Sequence, residues 1–259
     1  MKYWKYSGAG NDFVLLDDRE GKISDAPALA RHLCDRESGI GADGLMVLRQ
    51  PKQGGDIQMC FYNNDGSPAE MCGNGARCLC RHLYDYGICG EKQRIETPAG
   101  MVCGARISEG EYRIRLNRPS ELRLQMQVGD CVCDYVVLGE NGIPHAIYMA
   151  DLGEDRAILR EFAGRLRHAS EFPKGANVNL CTLVSEDEIK LLTYERGVED
   201  FTLACGTGTG ATVYALYQRG LVRGEHTQVR VDGGMLWVDI IDGEIYLTGP
   251  AERIAEGEL

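Results

Sequence analysis

The chain has 259 residues, a formal net charge of −11 and a pI near 5.0. That acidity, with no run of Lys or Arg to override it, excludes nucleic acid and anionic membrane as expected partners, because both need clustered positive charge. Eleven cysteines, with no apolar leader and no apolar run of membrane length, read as reduced thiols of a soluble cytoplasmic protein rather than a disulfide framework.

In chain order, β-branched and aromatic runs predict strands at 13–18, 44–50, 56–63, 101–107, 112–116, 134–139, 145–150, 189–195, 228–231, 235–241 and 244–249. Turn signals such as NNDG, VDGG and DGE separate them. Helical patterns fall at 26–35 and 156–166, and two further ones open at AEMCGNGARCLCRHLYDYG (69–87) and TLACGTGTGATVYALYQRG (202–220). Aligned on Cys72 and Cys205, these two segments share Gly73/Gly206, Gly75/Gly208, Leu83/Leu216, Tyr84/Tyr217 and Gly87/Gly220. GATVYALYQRG is apolar around most of its circumference, which marks a buried helix. Gly87 and Gly220 sit where a helix C-cap belongs. The reading is an α+β fold of two pseudo-symmetric domains, each a mixed or antiparallel sheet curled around a central buried helix, with the active site expected in the cleft between them. The expected halves are 1–117 and 118–248, with 249–259 a tail packing back on the first half.

A cysteine opening a helix meets unpaired backbone N–H groups and the positive end of the macrodipole, which together favour a reactive thiolate. Adjacent glycines let backbone approach a ligand, and the same N–H groups cradle a carboxylate. Two such starts facing each other across a cleft suit the inversion of a carbon next to a carboxylate. One sulfur removes a proton from one face while the other delivers a proton to the opposite face. The spacings of Cys72, Cys78 and Cys80, and of Cys131 and Cys133, are not those of a zinc site, and no metal is expected. A competing reading takes Gly206, Gly208 and Ala211 with Glu225 as a dinucleotide fingerprint. It lacks a surrounding βαβ series and leaves the twin at Cys72 unexplained.

The segments SGAGNDFVLLD (7–17), GIGADGLMVL (39–48), FYNNDGSPAEMCGNGARC (61–78), PHAI (144–147), FPKGANVNL (172–180) and YERGVEDFTLACGTGTGA (194–211) resemble the diaminopimelate epimerase family along nearly the whole chain. The resemblance implies a cofactor-independent isomerase with a two-cysteine mechanism and neither pyridoxal phosphate nor metal. LL-/meso-diaminopimelate, of lysine and cell-wall precursor biosynthesis, is the implied substrate. It implies that Cys72 and Cys205 are the acid/base thiols. Gly73 with Asn74, and Gly206 with Thr207, would hold the α-carboxylate. Asn11, Asn63, Asn177 and Glu195 would contact substrate, Arg196 would bind the distal carboxylate bidentately, and His145 and Glu195 would support proton management near the thiols. The implied partner is a small amino acid, with a homodimer as an allowed assembly. Departures lie in GENGIPH, where Ile143 stands at a family asparagine position with Asn141 displaced, and at Phe201, where a polar residue is frequent. They leave a racemase of another amino acid, such as histidine, as the alternative.

Overall fold

The computed structural model describes residues 1–69, 71–140 and 142–259. In chain order the elements are β1 (Lys2–Gly8), β2 (Asn11–Asp17), α1 (Ala26–Leu33), β3 (Gly44–Arg49), β4 (Ile57–Asn63), β5 (Pro68–Ala69), α2 (Gly73–Asp85), β6 (Lys92–Thr97), β7 (Gly100–Ser108), β8 (Glu111–Arg115), β9 (Pro119–Val128), β10 (Cys131–Leu138), β11 (Pro144–Met149), α3 (Arg156–Arg167), β12 (Asn177–Ser185), β13 (Glu188–Glu195), β14 (Asp200–Thr202), α4 (Gly206–Gln218), β15 (Thr227–Val231), β16 (Gly234–Ile241), β17 (Glu244–Pro250) and β18 (Glu252–Glu258). The fold is mixed α/β, dominated by strands, and the chain forms two compact units. One comprises residues 1–115 and 248–259, the other residues 116–247.

In the first unit β1 pairs antiparallel with β2, β2 parallel with β3, β3 antiparallel with β4, β4 parallel with β6, and β6 antiparallel with β7. In the second, β10 pairs antiparallel with β11, β11 parallel with β12, β12 antiparallel with β13, β13 parallel with β15, and β15 antiparallel with β16. The alternation is the same in both. So are the helix insertions: α1 and α3 follow the second strand of each series, and α2 and α4 follow the short strands β5 and β14. The two cysteine segments therefore occupy the same topological position. Each unit also gains an outer strand on the first of its series, β18 on β1 and β9 on β10, both antiparallel.

The expected helices at 26–35 and 156–166 form as α1 and α3, each capped by an aspartate, Asp25 and Asp155, that accepts from a backbone N–H of the first turn. The central helices end alike. Gly87 and Gly220 adopt φ of 63° and 70°. The following N–H groups reach back, Ile88 to the Leu83 carbonyl and Leu221 to the Leu216 carbonyl, each at 2.9 Å. This left-handed closure satisfies the last carbonyls without a side chain. Residues 73–80 are buried without interruption in α2, and α4 buries Gly206, residues 208–213, Ala215 and Leu216. Buried Thr209 and Thr212 donate to carbonyls one turn back, Cys205 at 2.9 Å and Gly208 at 2.8 Å, so α4 places hydroxyls inside its unit without leaving them unpaired.

Around α1, Val14, Leu16, Ala30, Leu33, Leu45 and Val47 form one apolar cluster of the first unit. Its counterpart in the second unit gathers Leu159, Ala163, Phe172, Val178, Leu180 and Tyr194 around α3. Phe201, the departure at β14, packs against this second cluster and meets Tyr194 edge to face at 5.9 Å. Its apolar character is thereby explained by packing.

Candidate active site

Cys72 caps α2 and Cys205 caps α4, each with an extended backbone. The sulfur of each accepts the N–H of the third residue on, Gly75 and Gly208, at 3.4 Å in both cases. The first intrahelical bonds are Ala76 N–H to the Cys72 carbonyl and Thr209 N–H to the Cys205 carbonyl, both 2.8 Å. Gly73 with Asn74, and Gly206 with Thr207, thus form the opening turn of each helix, upstream of the regular ladder. That is where backbone amides are available to an anion.

In the first unit a relay of amides runs outward from α2. Arg77 Nη2 donates to Asn74 Oδ1 at 2.9 Å, Asn74 Nδ2 to Asn11 Oδ1 at 2.7 Å, and Asn11 Nδ2 to Asp43 Oδ2 at 2.9 Å. Asn74 and Asn11 are brought together; Asn63 is not part of the relay. It closes the NNDG turn, with Nδ2 donating to Ser67 Oγ at 2.9 Å. Arg77 is completely buried, and its Nε and Nη1 have no partner among the described residues. Its strongest electrostatic neighbours are the thiols of Cys78, Cys72 and Cys80.

The second unit surrounds its cysteine differently. Asn177 accepts the Arg196 backbone N–H on Oδ1 at 2.9 Å, which turns Nδ2 toward Cys205 Sγ at 3.8 Å. Thr207 Oγ1 lies 3.5 Å from the same sulfur. Glu195 accepts from Thr202 Oγ1 at 2.6 Å and from the Cys205 thiol. Burial raises the Glu195 carboxyl above its ordinary range despite these bonds. The solvated Glu195–Arg196 pair that adjacency suggests does not form: the two side chains diverge, and Arg196 Nη1 donates to the Lys174 carbonyl at 2.8 Å. Arg196 lines an open cavity of about 590 Å³ together with Lys174, Pro144, Tyr135, Glu140 and Gly142. Ile143 beside it is 41% exposed; Asn141 lies outside the described residues.

His145 is wholly buried on β11 and pairs in register with Asn177 on β12. Burial, with Arg196 adding to it, pushes its pKa down to about 3. That shift favours the neutral imidazole at neutral pH. Sequence reasoning passed over two residues here. Asn179 was legible as the position two along from Asn177, on the same strand face. Arg77 was legible as a cation set between the small residues that open the helix and the Cys-Leu-Cys run that follows. None of the eleven cysteines is in a disulfide, and burial pushes Cys34, Cys78, Cys133 and Cys181 up to about 12.

The duplicated strand-and-helix unit with a cysteine at each central helix start is that of an isomerase. The chain belongs to the diaminopimelate epimerase family, whose model matches residues 3–115 and 137–254. It is 37% identical to a diaminopimelate epimerase of Aquifex aeolicus, spanning 100% of this chain and 98% of that protein. It is 36% identical to one from Archaeoglobus fulgidus, spanning 100% and 96%. Among solved structures, a hydroxyproline epimerase from Agrobacterium vitis superposes with a TM-score of 0.72 at 15% identity, covering 100% and 90% of the two chains. A methylitaconate-Δ-isomerase gives 0.66 at 12%, covering 99% and 95%. At such low identity these two establish the fold alone. The named relatives favour the diaminopimelate reading over a histidine racemase. The dinucleotide reading fails on topology: β14, which precedes the GxGxxA run, is a three-residue strand antiparallel to β13 rather than a parallel strand of a βαβ unit. Among the described residues no helix is long and apolar enough to cross a membrane, and no His, Cys, Asp and Glu cluster could hold a metal.

Proposed function

We propose that this protein interconverts LL- and meso-diaminopimelate by a two-thiol mechanism, with Cys72 and Cys205 acting on opposite faces of one α-carbon. The observation that carries the reading is the duplicated cap: two cysteines, 133 residues apart in the sequence, in the same topological position, each sulfur receiving the third amide of its helix at 3.4 Å. A helix start stabilises a thiolate and presents further N–H groups to a carboxylate in the same turn. Deprotonation of an α-carbon throws charge onto that carboxylate, so the amides of Gly73, Asn74, Gly206 and Thr207 bind the transition state more strongly than the ground state. Each half-reaction breaks the Cα–H bond to one thiolate and forms a new Cα–H bond from the opposite thiol. The enzyme is left with its protonation pattern reversed.

Glu195, hydrogen-bonded to the Cys205 thiol, manages the proton on that side. Arg196 meets the distal carboxylate, with Asn63 and Asn177 as further contacts. A cytoplasmic location and a homodimeric assembly belong to the same proposal; sedimentation of the purified protein decides the second. The direct test is chiral analysis of enantiopure amino acids, including LL-diaminopimelate and L-histidine, incubated with the enzyme in deuterated water. Inversion of LL-diaminopimelate with one solvent deuteron at the inverted carbon is expected. Inversion of histidine alone, or retention of protium at the inverted carbon, overturns the assignment.

A further inference from the structure

Three polar side chains buried in the second unit form a network that the acid/base pair does not account for: His145 on β11, Asn179 on β12 and Thr193 on β13. Asn179 Nδ2 lies 3.3 Å from the Ala146 carbonyl oxygen and 3.3 Å from His145 Nδ1. A carbonyl oxygen only accepts, so the atom facing it is the amide NH2. The opposite end agrees, since Asn179 Oδ1 accepts from Thr193 Oγ1 at 3.0 Å. The NH2 group has two hydrogens, and each has one acceptor: the Ala146 oxygen and His145 Nδ1. Nδ1 must then present its lone pair, because an Nδ1–H would set donor against donor. The imidazole proton is on Nε2.

Burial fixes the same state from the other direction. His145 has no exposed surface, and the cation that acts on it, Arg196, further disfavours an imidazolium. The ring therefore neither gains a proton at Nδ1 nor exchanges tautomers without breaking the Asn179 bond. Its Nε2–H is buried and has no acceptor among the described residues. Such a donor carries a desolvation cost that an acceptor on a bound molecule would offset. The neighbourhood is that of Cys205. His145 is in register with Asn177, whose amide reaches the Cys205 sulfur, and Asn179 Oδ1 lies against Gly208, whose N–H binds the same sulfur. A Cβ at position 208 would overlap Asn179 Oδ1, so glycine there admits the amide.

We propose that Asn179 is a positioning residue that locks His145 as its Nε2–H tautomer, making His145 a fixed hydrogen-bond donor to a substrate oxygen or thiolate rather than a carrier of the transferred proton. This rests on the function proposed above and assigns His145 a role within it.

The test is a long-range proton–nitrogen NMR spectrum of enzyme labelled with 15N-histidine, with the His145 signals assigned by their loss in His145→Gln. Wild-type His145 should show a protonated, pyrrole-type Nε2 and a bare, pyridine-type Nδ1, unchanged between pH 5 and 8. In Asn179→Asp a carboxylate replaces the NH2 group and accepts from the ring. Nδ1 should become the protonated nitrogen, and kcat should fall by about 10²-fold, the scale attached to losing one preorganised donor. A wild-type Nδ1–H, titration of His145 within that pH range, or an unchanged tautomer in Asn179→Asp each overturns the proposal. The wild-type spectrum decides even if the variant misfolds. Failure of wild-type enzyme to invert diaminopimelate would instead overturn the functional reading and leave the tautomer result standing.

Discussion

The starts of α2 and α4 share a cap, a third-residue amide and a glycine closure, yet they differ in what lies behind the sulfur. Five residues after Cys72 comes Arg77, a buried guanidinium with no carboxylate on it among the described residues; five residues after Cys205 comes Gly210. Beside Cys205 stands the Glu195 carboxyl, which accepts a hydrogen bond from the thiol. A buried cation favours negative charge on sulfur, and a carboxylate acceptor favours the protonated form. A duplicated scaffold thus supplies two equivalent positions, and a few side chains give the two sulfurs different electrostatic surroundings. An inversion needs that difference, because two thiolates or two thiols together cannot both remove and deliver a proton.

The comparison can be broken most severely at the sulfurs. Cys72→Ala and Cys205→Ala should each lower kcat/KM for diaminopimelate inversion by about 10²–10⁴-fold or more, with unchanged circular dichroism; near-normal turnover in either variant would remove the two-thiol mechanism. Next come the glycines. Gly208→Ala forces its methyl into Asn179 Oδ1, whereas Gly75→Ala meets the flexible Met46 sulfur at 3.2 Å. Gly208→Ala should cost about 1–3 kcal/mol in urea unfolding, and Gly75→Ala visibly less.

Arg77→Met sharpens the electrostatic contrast. Alkylation of Cys72 at neutral pH should slow on the order of tenfold, while alkylation of Cys205 is unaffected. Stability should hold or rise, since an apolar chain replaces a buried charge that no described carboxylate pairs. The mildest test is pH-dependent. The raised carboxyl of Glu195 makes the folded state bind more protons than the unfolded one just above pH 4.5, the ordinary value. Its contribution to stability is therefore full below that value and is lost as pH rises through the folded one. Glu195→Gln should accordingly become more stable relative to wild type on going from pH 4 to 7. His145, and His82 in α2, act in the opposite sense. Burial lowers them to about 3 and about 4, so stability rises with pH up to their unfolded value near 6.5.

Much of the site was legible because its residues obey local rules. A cysteine followed by glycines before an apolar helix is a cap whatever surrounds it, and the internal match of two segments marked the duplication. The hydrophobic strands were legible for the same reason. What escaped was polar. β9, PSELRLQMQV, is exposed along most of its length and reads as a boundary. β1 mixes Lys with Tyr and Trp, and its buried residues, Trp4, Tyr6 and Gly8, are separated by Lys5 and Ser7. β12 carries Asn177 and Asn179 fully buried, against the usual meaning of asparagine, because β11 and β13 present the partners of Asn179 while Arg196 and Cys205 present those of Asn177. The bonds that turn Asn179 toward His145 come from residues 34 and 14 positions away. No local pattern encodes such a meeting.

The pairing of β18 with β1 brings the two ends of the chain together: the Leu259 N–H donates to the Met1 carbonyl at 2.8 Å, and the Met1 amine to the Leu259 carbonyl at 3.2 Å. On the ribosome this imposes an order of assembly. The second unit, drawn from one continuous stretch, can close as soon as residue 247 has emerged, whereas the first is synthesised earlier but finished last. Until Glu252–Glu258 emerge and pair with it, β1 presents an unpaired edge, the kind of surface on which nascent chains join one another. Premature termination near residue 250 would therefore harm the half of the protein that was made first.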